Sequence, residues 1–220
     1  MAQPRLHKDW AVITGAVGDH MEFTKWTVPT MRRYCEVMDM DFAQYELWPT
    51  DPPLGSSWEK VMLMRHKLEA GYDGVLWVDA DAMFVRYDED IRDVVEPGWN
   101  WVHNKYAGKP WPCVPCTGVV AVTPEAMDTL HILWELREEY INAPWVEQTA
   151  AHVLFGWDPT TGELHEPEGQ HALPDRWNST PESPAEDPVI YHAASHDGST
   201  LASRCYLLQE EYVHHFPVQG

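Results

Sequence analysis

The sequence predicts an α/β protein, a mixed, mainly parallel, Rossmann-like sheet flanked by helices, with residues 1–220 forming a single domain. Three observations carry that expectation. The runs Trp10-Ala11-Val12-Ile13-Thr14-Gly15 and Gly74-Val75-Leu76-Trp77-Val78 are short and continuously apolar, as strands covered on both faces are. Between them Met31, Tyr34, Cys35 and Met38 recur at helical spacing. Strand, helix, strand, helix, strand in succession is the order of an α/β sheet.

The elements follow in order. The first strand ends at a turn containing Gly15. A helix is expected over residues 29–38, with Pro29 suited to its first turn. Phe42-Ala43-Gln44-Tyr45-Glu46-Leu47-Trp48 alternates as a second strand should, and residues 49–55, full of Pro and Asp, read as a loop. Ser56-Ser57-Trp58-Glu59 has the form of a capping box that opens a second helix, and Gly71 is a natural αL terminator for it. After the 74–78 strand come strands at 99–103 and 118–122, a long helix over 124–140 and a shorter one over 146–154. Irregular structure with short strands over 158–188, a last strand at Val189-Ile190-Tyr191-His192 and a closing helix over 200–212 complete the chain.

Length and composition narrow the function. A chain of 220 residues, 44% hydrophobic and 23% charged, can bury one substantial core. A net charge of −20 and a pI near 4.8 oppose binding to a nucleic-acid backbone, and Arg32-Arg33 is an isolated basic pair. No apolar run reaches the ~20 residues of a membrane span, and MAQPRLHKDW lacks the pattern of a signal sequence, so a cytoplasmic location is expected. Cys113 and Cys116 have a spacing seen in redox pairs and half zinc sites; without a second pair they read as reduced thiols in a turn before a strand.

The candidate chemistry lies at Asp79-Ala80-Asp81, which follows the 74–78 strand. Ligands of open α/β sheets gather at the carboxyl ends of strands. Residues two apart in extended chain project to one side, and Ala80 leaves room between the two acids. Paired carboxylates repel unless a cation separates them, and their hard oxygens suit Mg²⁺ or Mn²⁺ beside a phosphate ligand. In so acidic a chain such an ion would also make an anionic ligand tolerable. The alternative is a pair of ordinary turn residues.

Trp58-Glu59-Lys60 followed by Val75-Leu76-Trp77-Val78-Asp79-Ala80-Asp81-Ala82-Met83-Phe84 resembles the core of GT-A-fold glycosyltransferases, most of all the galactosyl- and xylosyltransferase family that includes xyloglucan xylosyltransferases. Four further segments are similar in the same order: Thr117-Gly118-Val119-Val120, Glu147-Gln148-Thr149-Ala150, Leu173-Pro174-Asp175-Arg176-Trp177-Asn178-Ser179 and Val189-Ile190-Tyr191-His192-Ala193-Ala194. The resemblance implies transfer of a sugar from a nucleotide-diphosphate donor, a UDP-sugar, to a hydroxyl acceptor with retention. It implies that Asp79, Asp81 and His192 hold Mn²⁺ or Mg²⁺, with His196 the competitor of His192 as the third ligand. Thr14, Gly15, Lys60, Asp79, Ala80, Thr117 and Gly118 would bind the donor. Glu147 and Gln148 would stand at the reacting carbon. Lys60 could equally be a helical lysine paired with an acid, Glu147 and Gln148 could be exposed helix residues, and Thr117 and Gly118 could simply begin a core strand.

The chain departs from the family at four places. Cys116 replaces an Asn, Val146 an acid, and Ser195 and Asp197 stand where a Gly and a phosphate-binding Lys occur; Arg204 is a candidate replacement for that Lys. Twelve tryptophans suit sugar stacking, with Trp99, Trp101, Trp111, Trp145, Trp157 and Trp177 in or beside expected loops. Two other readings use the same residues. One is a phosphohydrolase or nucleotidyltransferase, although aspartyl phosphatases carry a Thr where this chain has Met83. The other is a sugar-nucleotide-binding protein without turnover.

Overall fold

A computed structural model describes residues 9–48, 53–105, 113–165, 168–194 and 199–216. Its centre is a six-stranded mixed sheet in the order β2-β1-β3-β6-β5-β7. The wholly buried β1 (Trp10–Ala16) runs parallel to β2 (Asp41–Glu46) on one side and to β3 (Gly74–Val78) on the other. Antiparallel pairing joins β3 to β6 (Val114–Val122) and β6 to β5 (Trp99–Asn104), and β7 (Gln170–Leu173) lies parallel to β5. The 74–78 run is thus central, but parallel on one edge only.

The continuous apolar runs arise because alternate side chains feed two cores. Ala11, Ile13, Val75, Trp77, Trp101 and Val120 face one layer; Val12, Leu76, Val78, Val102, Val119 and Ala121 face the other. Strand side chains alternate between faces, so a strand covered on both sides has no polar position to spare. Helix α1 (Thr24–Met38) covers the second layer through Met31 and Tyr34. The first layer is covered by α2 (Glu59–Glu69), α3 (Met127–Glu135) and α5 (Glu147–Leu154). Each fully buried large apolar side chain contributes about 1.5–3 kcal/mol.

A two-stranded ribbon pairs β4 (Ala82–Phe84) with β8 (Ile190–His192), setting Ala82 opposite His192. Helix α6 (Leu201–His215) packs Leu208 against Phe23 and Met83. No helix among the described residues is long and apolar enough to cross a membrane.

Several expected boundaries shift for identifiable reasons. Helix α1 starts at Thr24, so Pro29 lies inside it rather than in its first turn. Residues Pro53–Trp58 make a 3-10 turn, so Trp58 rather than Ser56 immediately precedes α2, and Glu59 Oε1 accepts from the Trp48 amide at 2.8 Å. Gly71 does end that helical segment, at φ 94°. The expected long helix over 124–140 is broken at Leu136, whose amide is shared between the Ile132 and Leu133 carbonyls, and a separate α4 (Arg137–Tyr140) follows. Most of residues 49–55, together with Trp111, Ser195, His196 and Asp197, lies outside the described residues.

Candidate active site

At the carboxyl end of β3 the chain turns sharply through Asp79-Ala80-Asp81. Asp79 N donates to Gly118 O at 2.8 Å and Ala82 N returns to Asp79 O at 2.9 Å. The Thr27 hydroxyl of α1 donates to Ala80 O at 2.8 Å, and Ala193 N donates to Asp81 O at 3.0 Å. Four elements therefore fix the turn. Ligand atoms of Asp79, Asp81 and His192 lie within 4.8 Å of one another.

The His192 tautomer can be derived from its neighbours. Asn178 Nδ2 donates to Asn104 Oδ1 at 3.1 Å, while Asn104 Nδ2 donates to the Asn178 carbonyl at 2.8 Å. Asn178 therefore presents Oδ1, an acceptor, 2.8 Å from His192 Nδ1, which must carry the proton. The Nε2 lone pair then faces Asp81 Oδ1 at 3.3 Å. Two acceptors face each other there, an arrangement that a cation between them, or a second proton on the ring, resolves. A histidine whose other nitrogen is held by a buried amide has the build of a metal ligand. Gly118 makes room for it: a Cβ there would stand 2.3 Å from His192 Cε1 and 3.3 Å from Asp79 Oδ2. Two carboxylates and an imidazole fit a divalent cation.

The second cluster lies beside the first. Buried Lys60 reaches Asp79 Oδ1 at 3.1 Å, Glu147 Oε1 at 2.9 Å and the Thr117 carbonyl at 3.2 Å. Burial alone would lower the Lys60 pKa, but the attraction of Asp79 and Glu147 outweighs it and drives the pKa above its ordinary value. Trp77 Nε1 also donates to Asp79 Oδ1, at 2.5 Å. Thr117 ties the start of α5 to β6: its hydroxyl lies 3.0 Å from Glu147 Oε1, and its amide donates to Gln148 Oε1 at 3.0 Å. Because an amide N–H requires an acceptor, Gln148 must turn its oxygen toward Thr117. Its Nε2 hydrogens are what it offers a ligand.

Before these residues stands Val146, buried and held at φ 47°, ψ −114°. A β-branched residue in that region is strained by about 1–3 kcal/mol, and such strain gathers at functional sites. Here it turns the chain so that Glu147 and Gln148 open α5 facing Thr117.

Arg204 was a candidate on sequence grounds only as a replacement for a lysine. It stands in the first turns of α6, which a capping box between Thr200 and Ser203 anchors. Its guanidinium forms an ion pair with Asp81 Oδ2, its Nε donates to Ala193 O at 2.7 Å, and it lies 4.7 Å from the Phe23 ring centroid.

A cavity of about 720 Å³ joins the clusters. Gly15, Lys60, Asp79, Ala80, Asp81, Thr117, Gly118, Glu147, Gln148 and His192 all line it, with Arg204. Thr14 does not, being fully buried in the sheet. What approaches Gly15 is Leu47, whose Cδ2 would be 2.6 Å from an added Cβ. Glu147 and Lys60 are buried, not exposed on their helices. Of the tryptophans considered for stacking, Trp99, Trp101 and Trp177 belong to the core, whereas Trp145 lines the cavity and is 42% exposed. Cys113 and Cys116 form no disulfide, and Cys116 lies in the cavity wall. Sequence reasoning passed over Thr27 and Asn104, whose hydrogen bonds run across the fold and leave no local pattern, and Trp77, whose indole donates to Asp79 only two residues on.

No family model and no curated protein matches the chain. Solved structures do. A glycosyltransferase involved in the glycosylation of the major capsid of PBCV-1 superposes with a TM-score of 0.72 at 16% identity, covering 92% of this chain and 100% of that one. The glycosyltransferase GlyE of Streptococcus pneumoniae TIGR4 gives 0.58 at 15% identity, covering 92% of this chain and 60% of that one; its apo form gives 0.57. At such identities the likeness is one of fold: the chain has the architecture of these glycosyltransferases.

Proposed function

We propose that the protein is a metal-dependent glycosyltransferase of the GT-A type, moving a sugar from a UDP-sugar to a hydroxyl acceptor with retention. The reading is carried by one observation: in a fold shared with solved glycosyltransferases, the Asp79–Asp81–His192 cluster and the Glu147–Gln148 helix start line the same cavity. Asp79, Asp81 and His192 would hold Mn²⁺ or Mg²⁺, which when bound offsets charge on the leaving diphosphate.

The chain's own residues do the rest. Lys60 bridges Asp79 and Glu147, offsetting one of their two negative charges and fixing their spacing. Glu147, engaged by Lys60 and Thr117, is a positioning residue rather than a base. Gln148 offers its Nε2 hydrogens to a donor-sugar oxygen next to the reacting carbon. In the transfer, the bond from the anomeric carbon to the diphosphate oxygen breaks and its electron pair leaves with the diphosphate. The acceptor oxygen bonds to that carbon and its proton passes to the departing phosphate. The exposed indole of Trp145 suits an acceptor sugar face. Met83 is fully buried in β4, so the position of a phosphatase threonine offers the cavity nothing.

The test is UDP-sugar turnover with UDP-glucose, UDP-galactose and UDP-xylose in Mn²⁺. Asp79→Asn is expected to lower turnover at least about 100-fold, with an unchanged circular dichroism spectrum. Full activity in that variant, or in excess chelator, would end the reading. Thermal shifts by the same nucleotides, with and without Mn²⁺, check binding independently of turnover.

A further inference from the structure

We infer that Arg204 couples the cation to the diphosphate, weakening cation binding on its own and strengthening it when the nucleotide is present. The inference rests on the reading above, in which Asp79, Asp81 and His192 hold a divalent cation and the cavity takes a nucleoside diphosphate.

Arg204 is not a surface arginine. Its side chain is 13% exposed and is held from three directions, by Asp81, by the Ala193 carbonyl and by the face of Phe23. The carboxylate it grips is itself a candidate ligand. Asp81 turns Oδ1 toward His192 Nε2 and Oδ2 toward Arg204, so one side chain stands between the guanidinium and the cation position. A permanent positive charge one carboxylate away opposes entry of a dication, and it withdraws part of the negative charge that would hold that ion.

Buried Lys60, which also lines the cavity, cannot answer an incoming phosphate in the same way. Lys60 already meets two carboxylates and a carbonyl. Among the described residues Arg204 has one carboxylate, and its fork geometry matches phosphate oxygens as well as carboxylate ones. When a diphosphate arrives, guanidinium and dication face the same anion and their mutual repulsion is offset. Cation and nucleotide then bind with positive coupling, which thermodynamics makes reciprocal.

The experiment measures Mn²⁺ affinity by electron paramagnetic resonance of the unbound ion, for wild type, Arg204→Gln and Arg204→Lys, with and without saturating UDP. Without UDP, Arg204→Gln is expected to bind Mn²⁺ at least about fivefold more tightly than wild type, the lower end of ordinary coupling strengths. The factor by which UDP improves Mn²⁺ affinity should fall by a similar amount. Arg204→Lys, which keeps the charge, should leave the affinity without UDP near that of wild type and retain part of the enhancement. A merely structural arginine would give unchanged or weaker Mn²⁺ binding in Arg204→Gln, and that result overturns the inference while leaving the cation site standing. Should Arg204→Gln not fold, a Lys variant that binds Mn²⁺ and UDP without any loss of enhancement overturns it equally. A wild-type protein that binds no Mn²⁺ under either condition removes the cation site, and the inference with it.

Discussion

At the scale of single residues, the candidate site depends on what is missing from Gly118. The His192 ring and an Asp79 oxygen occupy the space a side chain would need. Gly118→Ala should push the imidazole off its Asn178 anchor while leaving the β6 backbone in a conformation alanine accepts. Mn²⁺ affinity is expected to fall about 10- to 100-fold, the range found when a ligand loses its orienting partner. Calorimetric titration checks this, and an unchanged affinity would show that the ring is free to relocate. Gly118 was visible in the sequence only as part of a Thr-Gly resemblance. The reason for it, an imidazole delivered from a distant strand, is tertiary.

At the scale of elements, strands were read more surely than helix ends. A strand buried on both faces writes itself as an unbroken apolar run, which is why β1, β3 and β6 were found near their true places. Helix starts depend on which partner wins each backbone and side-chain group. Glu59 was expected to close a capping box on Ser56, yet the helix is preceded by Trp58 and Glu59 Oε1 accepts from the Trp48 amide; α5 begins not with a side-chain cap but with the strained Val146. That strain makes an unusual ranking expected. Val146→Ala keeps a Cβ in a conformation unfavourable to all side chains, whereas Val146→Gly relieves it. The glycine variant should therefore be the more stable of the two by about 1 kcal/mol, although it buries less apolar surface. Urea denaturation of both variants settles the order, and a more stable alanine variant contradicts the strain assignment.

For the molecule as a whole, buried His152 makes stability respond to acid. His152 lies in the core with Nε2 2.7 Å from the Pro115 carbonyl, to which it must donate. Burial pushes its pKa down to about 4, and His103 is lowered in the same direction and for the same reason. The unfolded chain, with ordinary imidazoles near 6.5, takes up protons first as pH falls. The contribution of neutral His152 is therefore complete above about 6.5 and is lost progressively toward pH 4, of order 3 kcal/mol in total. His152→Gln, which can still donate to Pro115, should flatten the dependence of unfolding free energy on pH between 7 and 4.5. Identical slopes in the two proteins would show that other groups govern it. The architecture behind this was readable from the order of apolar runs and helical spacings. The closing helix and Arg204 were legible too, but the grip of Arg204 on Asp81 was not, because a lone arginine in a polar helix carries no local mark of which acid it will touch.

The ribbon that pairs Ala82 with His192 has a bearing on timing. Strand β4 follows the acidic turn directly, yet its only mate in that ribbon belongs to a far later stretch of polypeptide. Contacts between such distant stretches form slowly, since a long loop must close before they are rewarded. During synthesis or refolding Asp79 can already meet Lys60 and Trp77, whereas Asp81 waits for His192 and Arg204 beside an unmated apolar edge. Only when β8 zips onto it does the imidazole arrive, and the same late event both hides the edge and completes the ligand trio.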